Sequence, residues 1–328
     1  MTPSGRSAPQ AHPSAGIDII DDGVDAAVLD EVLAGMQSPE PWLPCKFFYD
    51  ARGSDLFEKI CQQPEYYLTR TEIGLLRQQA AAIAAAVGPG VEVIEFGSGS
   101  GFKTRLLLES LPAVAGLTLI DISASALAES VDHLRAAYPD LAIRGMVGDY
   151  HQALRLPSTM VGGRRLIFFP GSTIGNETSA GAVAFLRRMR LMAGQDGLLL
   201  LGTDLVKDVA VLEAAYNDAA GVTAAFNRNV LVHCNRLFDG DCRAAAFHHR
   251  AVFDPVERRI DLSLVADSDQ HWQWGGVPLA LAAGEAIHTE HSHKYRPADV
   301  DDLAERGGWR TAQRWIDAQG WFALSLLA

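Results

Sequence analysis

Residues 91–108 read VEVIEFGSGSGFKTRLLL. A short apolar run (Val91, Val93, Ile94) ends in Glu95 and Phe96, three glycines follow (Gly97, Gly99, Gly101), and a helical segment starts near Lys103. The pattern predicts a buried strand that turns through glycines into a helix. Glycine at every second position lets the backbone approach a ligand closely and take torsions that a β-carbon forbids. The helix N-terminus behind the loop presents unpaired N–H groups and the positive end of its dipole. One reading of such a loop is a dinucleotide fingerprint, which needs a third glycine at position 102. That residue is Phe102, so the fingerprint is incomplete.

Downstream, strand and helix alternate steadily. Leu117 to Ile120 predicts a strand ending in Asp121, and Leu141 to Val147 another, running into Asp149 and Tyr150. Leu166 to Phe169 runs into PGSTIGN, and Leu198 to Gly202 into Thr203 and Asp204. Apolar strands separated by helices mean a parallel sheet covered on both faces. Ligands of such sheets sit at the carboxyl ends of the strands, where the strand order reverses. The polar residues just named all lie on that edge.

The flanking regions read differently. Asp18 to Met36 is acidic and apolar-periodic and predicts a first helix. Pro41 to Glu72 gathers Phe47, Phe48, Tyr49, Phe57, Tyr66 and Tyr67 around a short helix beginning near Ser54. Thr69-x-x-Glu72 has the form of a capping box for a helix over Arg70–Val87. Beyond Leu205 come two helices, one stopping at Gly221 and one capped by Thr223 and running to about Leu237. Antiparallel runs follow at Ala245–Phe253, Arg259–Ala266 and Glu285–Tyr295. Pro297–Glu305 predicts a helix returning to the sheet, and Thr311–Asp317 with Trp321–Leu327 a closing hairpin. The expected organisation is a sheet domain over 70–206 and 297–328, with a discontinuous smaller α+β domain over 17–69 and 207–296.

Bulk properties narrow the partners. The chain has 328 residues, 48% hydrophobic and 21% charged, with a net charge of −12. That balance suits a globular protein and argues against nucleic acid, which needs a basic face. No apolar run approaches the ~18 residues of a membrane span. Residues 1–16, rich in Pro, Ser, Ala and Gly, read as a disordered tail. Cys45, Cys61, Cys234 and Cys242 form no C-x-x-C pair and are expected as thiols in a reducing cytoplasm.

Asp121 ends the second strand, where adenosine-binding folds keep the acid that accepts both ribose hydroxyls. Asp149 and Tyr150 suit adenine, a carboxylate for its exocyclic amine and a ring for stacking. The G-x-G-x-G spacing, with Glu95 two residues before Gly97, resembles motif I of S-adenosylmethionine-dependent methyltransferases.

Longer motifs point to one family. YDARGSDLFEKICQQPEYYLTRTE (Tyr49 to Glu72), KTRLLL (Lys103 to Leu108), GSTIGN (Gly171 to Asn176), AYNDAAGVTAAFNRNVL (Ala215 to Leu231) and TEHSHKY (Thr289 to Tyr295) resemble the L-histidine Nα-methyltransferases of ergothioneine biosynthesis. These enzymes trimethylate free histidine to hercynine. The resemblance covers about residues 17 to 328. It implies a class I methyltransferase fold, a Rossmann-like seven-stranded sheet with a C-terminal antiparallel hairpin, in a cytoplasmic monomer. By motif match, Gly97, Lys103, Asp121, Asp149, Tyr150, Gly171 and Ser172 line S-adenosylmethionine. Tyr49, Tyr66, Asn176, Tyr216, Glu290 and Ser292 hold the amino acid, with Tyr49 and Asn176 as the catalytic pair. The chain departs from the family pattern at Gly101-Phe102, at Glu177 and at the histidines flanking Ser292.

Glu290 and Ser292 are two apart, so on a strand they share a face. There the carboxylate can accept an imidazole N–H. His288, His291 and His293 raise a metal reading. Regular strand alternation puts His291 with His293 but His288 on the other face with Glu290, so the three would not converge and no metal is expected. The rival functions are methylation of another amino acid with a ring side chain, a nicotinamide-dependent oxidoreductase on a similar sheet, and a non-catalytic amino-acid-binding relative.

Overall fold

The computed structural model describes residues 17–19, 26–97, 99, 101–148 and 163–328. The chain enters on a short strand, β1 (Ile17–Ile19), and a helix, α1 (Ala26–Met36). The single helix expected over Asp18–Met36 is therefore shorter, and its first residues pair in parallel with Gly145–Val147 at the edge of the main sheet. Helix α2 (Ala51–Cys61) begins at Asp50, whose carboxylate accepts from Gly53 N at 2.7 Å. Helix α3 (Tyr67–Val87) starts ahead of Thr69, so Thr69 and Glu72 lie inside it and form no capping box.

Then β2 (Glu92–Phe96), α4 (Phe102–Ser110), β3 (Gly116–Asp121), α5 (Ala124–Ala137), β4 (Ile143–Val147), β5 (Arg165–Phe169), α6 (Ser179–Ala193) and β6 (Leu198–Asp204) alternate. Helices α7 (Val209–Tyr216) and α8 (Val222–Leu237) precede five strands: β7 (Phe247–Asp254), β8 (Arg259–Ala266), β9 (Gln270–Trp274), β10 (Val277–Leu281) and β11 (Ala286–His293). The hairpin β9–β10 was not anticipated from the sequence. Helix α9 (Pro297–Arg306) and the antiparallel pair β12 (Thr311–Ile316) and β13 (Phe322–Leu327) close the chain.

The main sheet runs β1-β4-β3-β2-β5-β6-β13-β12, with β13 antiparallel to both neighbours. Seven of these strands are the expected sheet with its terminal hairpin, and β1 adds an eighth. Strands β2, β3 and β6 are buried at every position, as a sheet covered by helices on both faces requires. From β2 the chain winds to β3 and β4, then crosses to the other side of β2 to lay down β5 and β6. The order thus reverses between β2 and β5, and their carboxyl ends flank the crevice where ligands of open α/β sheets bind.

One apolar cluster on each face of the sheet forms its core, gathered around Leu119 and Phe168 on one face and Phe169 and Leu186 on the other. A separate core joins α1, α2, α7 and α8 to the sheet β11-β8-β7 and the β9–β10 hairpin. In it Phe48 stacks on Phe226 at 4.6 Å between centroids, and Trp274 is fully buried with its indole N–H on Asn235 Oδ1 at 2.9 Å. Burying each such ring is worth about 2–3 kcal/mol.

Strand β11 is irregular. Its register against β8 shifts between His288 and Glu290, the mark of a bulge at Thr289. His288, His291 and His293 pair with Ser263, Asp261 and Arg259, which share one face of β8, while Glu290 and Ser292 pair with Leu262 and Ile260 on the other. The expected placement of His288 beside Glu290 is therefore wrong. The bulge inserts one residue into the alternation, so three histidines face outward and Glu290 and Ser292 face the core. No disulfide joins the four cysteines, and among the described residues no helix is long and apolar enough to cross a membrane.

Candidate active site

The loop after β2 has the backbone its glycines foretell. Gly97, Gly99 and Gly101 take φ of 72°, 47° and 70°. Among the described residues, a Cβ on Gly97 would meet nothing within 4 Å and one on Gly99 only Glu58 Oε1 at 4.0 Å, while one on Gly101 would touch Leu134 Cδ1 at 3.5 Å. Asp121, at the end of β3, fixes its carboxylate beside the loop. One oxygen accepts from Gly99 N at 3.3 Å and the other from Ser123 N at 2.9 Å. Asp149 and Tyr150 lie outside the described residues.

Lys103, in the first turn of α4, reaches across the strand ends. Its Nζ meets Glu72 Oε2 at 2.6 Å, and both Glu72 oxygens accept from Gly171 N at 2.9 Å. Glu72 is fully buried and clamps α3, α4 and the loop after β5 together. Its N–H-satisfied position explains why a Thr-x-x-Glu pattern here serves tertiary structure and not a helix end. Gly171 and Ser172 both take left-handed torsions, at φ 79° and 59°. For serine this costs on the order of 1 kcal/mol, and the turn is held by Asp204 N donating to Ser172 Oγ at 2.9 Å.

Beyond this turn lies a cavity between the main sheet and the second core. Gly171, Ser172 and Asn176 line it from the sheet side; Tyr49, Tyr66, Tyr216, Glu290 and Ser292 line it from the other, with Phe57, Phe226 and Leu262 as apolar wall. All six residues matched to amino-acid binding by motif therefore converge on one space, shared with two of those matched to the cofactor. Asn176 Nδ2 donates to Glu290 Oε1 at 2.8 Å, bridging the two halves. The tyrosine rings meet edge to face, Tyr66 on Tyr216 at 6.2 Å and Tyr49 on Phe226 at 5.9 Å.

A buried ionic chain supports one wall. The Lys294 side chain is fully buried and uses all three of its N–H donors: on Asp204 Oδ2 at 2.9 Å, Tyr216 OH at 2.8 Å and Ser292 Oγ at 2.9 Å. Asp204 is also fully buried, and it takes Tyr67 OH at 2.7 Å and Lys207 Nζ at 2.5 Å. Burial opposes the charge on Lys294, but Asp204 outweighs it and holds the ammonium above its ordinary range. Because Lys294 donates to both hydroxyls, Tyr216 and Ser292 keep their own protons. One donates to the other across 2.8 Å, and the second is left to donate into the cavity. Sequence reading gave Lys294 no role. The signal was present, since Lys294 continues the two-residue spacing of Glu290 and Ser292.

Burial pushes the Glu290 carboxyl up to about 7, with Lys294 pulling the other way. A carboxyl raised from 4.5 to about 7 on folding contributes stability that is complete below about pH 4.5 and is lost as pH rises through 7. At ~1.4 kcal/mol per unit the loss approaches about 3 kcal/mol. Glu290→Gln cannot ionise, so its unfolding free energy is expected to gain on wild type between pH 5 and pH 8 by up to that amount. Urea melts at the two pH values measure the difference, and a constant difference would place Glu290 in contact with water.

A family model described as a histidine-specific, S-adenosylmethionine-dependent methyltransferase matches residues 28–328. The chain belongs to that family. It is 42% identical over 311 residues to a histidine N-alpha-methyltransferase from Mycolicibacterium smegmatis, covering 93% of this chain and 96% of that one. It is 40% identical over 314 residues to the histidine N-alpha-methyltransferase of Mycobacterium tuberculosis, covering 94% and 97%. Ergothioneine biosynthesis protein 1 of Neurospora crassa is 29% identical over 299 residues, 87% of this chain but 33% of that longer protein.

The residues on the loop edge fit S-adenosylmethionine. Two left-handed glycines, Gly97 and Gly99, leave backbone exposed where a side chain would stand, and a fixed carboxylate closes the next strand end. Asp121→Ala is expected to weaken S-adenosylmethionine binding at least tenfold, since hydrogen bonds to a charged acceptor contribute ~1.5–3 kcal/mol each. Calorimetry with S-adenosylhomocysteine is the measurement; unchanged affinity would remove Asp121 from the cofactor site.

Proposed function

We propose that this enzyme methylates the α-amine of free L-histidine three times to give hercynine, using S-adenosylmethionine held by Gly97, Lys103, Asp121, Gly171 and Ser172. The observation that carries the reading is the convergence of Tyr49, Tyr66, Asn176, Tyr216, Glu290 and Ser292 on one cavity beside that loop edge. In this reading 17–69 and 207–296 form the substrate-binding domain and 70–206 with 297–328 the cofactor domain.

S-adenosylmethionine supplies the methyl group on a positively charged sulfur, ready for in-line displacement and needing no metal. What the chain contributes is orientation, which can provide up to ~7–11 kcal/mol of a barrier. Glu290 accepts the imidazole N–H, and the polar hydrogens of Tyr216, Ser292 and Asn176 serve the α-carboxylate. With both ends of histidine held, the amine lone pair has one direction left, toward the loop edge. Each of the first two transfers leaves a proton on the amine, and Tyr49 or water relays it outward. The tyrosine faces tolerate the growing ammonium charge through cation–π attraction.

Mass spectrometry of histidine incubated with the protein and S-adenosylmethionine tests the proposal. Products heavier by one, two and finally three methyl groups are expected, and no methylated histidine would refute it. Asn176→Ala is expected to lose histidine binding while retaining cofactor binding. The reverse pattern in calorimetry would assign Asn176 to the other pocket.

A further inference from the structure

The reversed facing of β11 has a chemical consequence on the side away from the cavity. With His288 turned outward by the bulge, His288 Nε2 lies 3.3 Å from His291 Nδ1, and the two rings stack at 5.5 Å between centroids. Asp261 stands directly opposite His291 on β8. One ligand atom from each of Asp261, His288 and His291 falls within 4.8 Å of the others.

We propose that Asp261, His288 and His291 form a binding site for a divalent transition metal of the zinc class. Zinc bound by two imidazoles at ~2.0–2.1 Å in a tetrahedron sets their nitrogens about 3.3–3.4 Å apart, the spacing found here. The ligand set of two imidazoles and a carboxylate suits zinc, nickel or cobalt and leaves a fourth position for water. The outer parts are also in position. Arg259 holds Asp261 Oδ1 at 2.7 Å, leaving Oδ2 to the metal, and His291 Nε2 is buried with no hydrogen-bond partner. Partners of this kind orient a ligating carboxylate. Arg259 also competes for the carboxylate, so micromolar affinity is expected in place of the tighter binding of a closed structural site.

Two features favour a ligand over mere packing. The bulge leaves Thr289 Oγ1 buried without a hydrogen-bond partner, a cost that a regular strand would avoid. Bulges persist where they re-aim a side chain, and the one re-aimed here is His288. A metal at this place would tie β11 to β8 on the reverse side of the strand that carries Glu290 and Ser292, stiffening that wall of the cavity.

The test uses the full-length protein after treatment with EDTA. Titration with zinc chloride by calorimetry is expected to show one ion per chain. His291→Ala and Asp261→Asn are each expected to weaken binding at least ~10-fold, while His271→Ala, at an exposed position on β9, leaves it unchanged. Tetrahedral cobalt bands without thiolate charge transfer would accompany substitution by that metal. Absence of zinc binding overturns the proposal. So does full-affinity binding in both variants, which would put the ion on the thiols. Thermal melts without metal accompany each variant; should His291→Ala fold poorly, Asp261→Asn, which keeps the side-chain volume, decides the question.

Discussion

Lys294→Met is expected to lower the unfolding free energy by about 3–5 kcal/mol and to lose most of the affinity for histidine. The stability loss comes from Asp204, which stays buried when its partner goes. Asp204 keeps Lys207 and the Tyr67 hydroxyl, so the lower end of that range is the better expectation. Binding fails for a different reason. Tyr216 and Ser292 are aligned by the two remaining Lys294 donors, and without them each hydroxyl can turn its proton away from the cavity. Urea melts give the first effect, and calorimetry with histidine and with S-adenosylhomocysteine the second. A variant that loses stability but binds histidine as wild type does would make Lys294 a purely structural residue. Loss of both ligands together would mean a collapsed fold.

The sheet was legible because each of its parallel strands is a short apolar run ending in polar residues, a pattern set by burial on both faces. The same periodicity put Glu290 and Ser292 on one face, and it extends to Lys294, whose role follows once Asp204 is known to stand opposite. What failed was reading local signals that tertiary structure overrides. Thr69 and Glu72 have capping-box spacing, yet Glu72 bonds Lys103 and Gly171 from the middle of α3. The β9–β10 hairpin carries a Gly275-Gly276 turn between QHWQW and VPLAL, a recognisable signal that the surrounding strands obscured. The bulge at Thr289 was beyond reach, because one inserted residue reverses every facing before it and no residue type announces it.

Just past that bulge Glu290 faces the cavity, and it should decide which amino acid is accepted. The alternative is a structural ion pair, but among the described residues no Lys or Arg lies within ion-pair distance of Glu290. Its hydrogen-bond partner is the neutral amide of Asn176, and its carboxyl is raised to about 7 by burial. A carboxylate held this way gains from any ligand that brings an N–H and, when protonated, a positive charge. Among common ring side chains, imidazole is the one that brings both. A site built to bond a polar group rejects analogues lacking it by ~10⁴-fold or more, so Glu290→Ala should lower kcat/KM for histidine at least ~10²-fold and relax discrimination against phenylalanine and tryptophan. The space vacated is walled by Phe57, Phe226 and Leu262, which suits an apolar ring. The measurement is kcat/KM for histidine and tryptophan in both proteins, alongside thermal melts. Equal proportional losses for the two substrates, tracking a fall in Tm, would make Glu290 structural. A selective loss for histidine at unchanged Tm would assign the carboxylate to the imidazole.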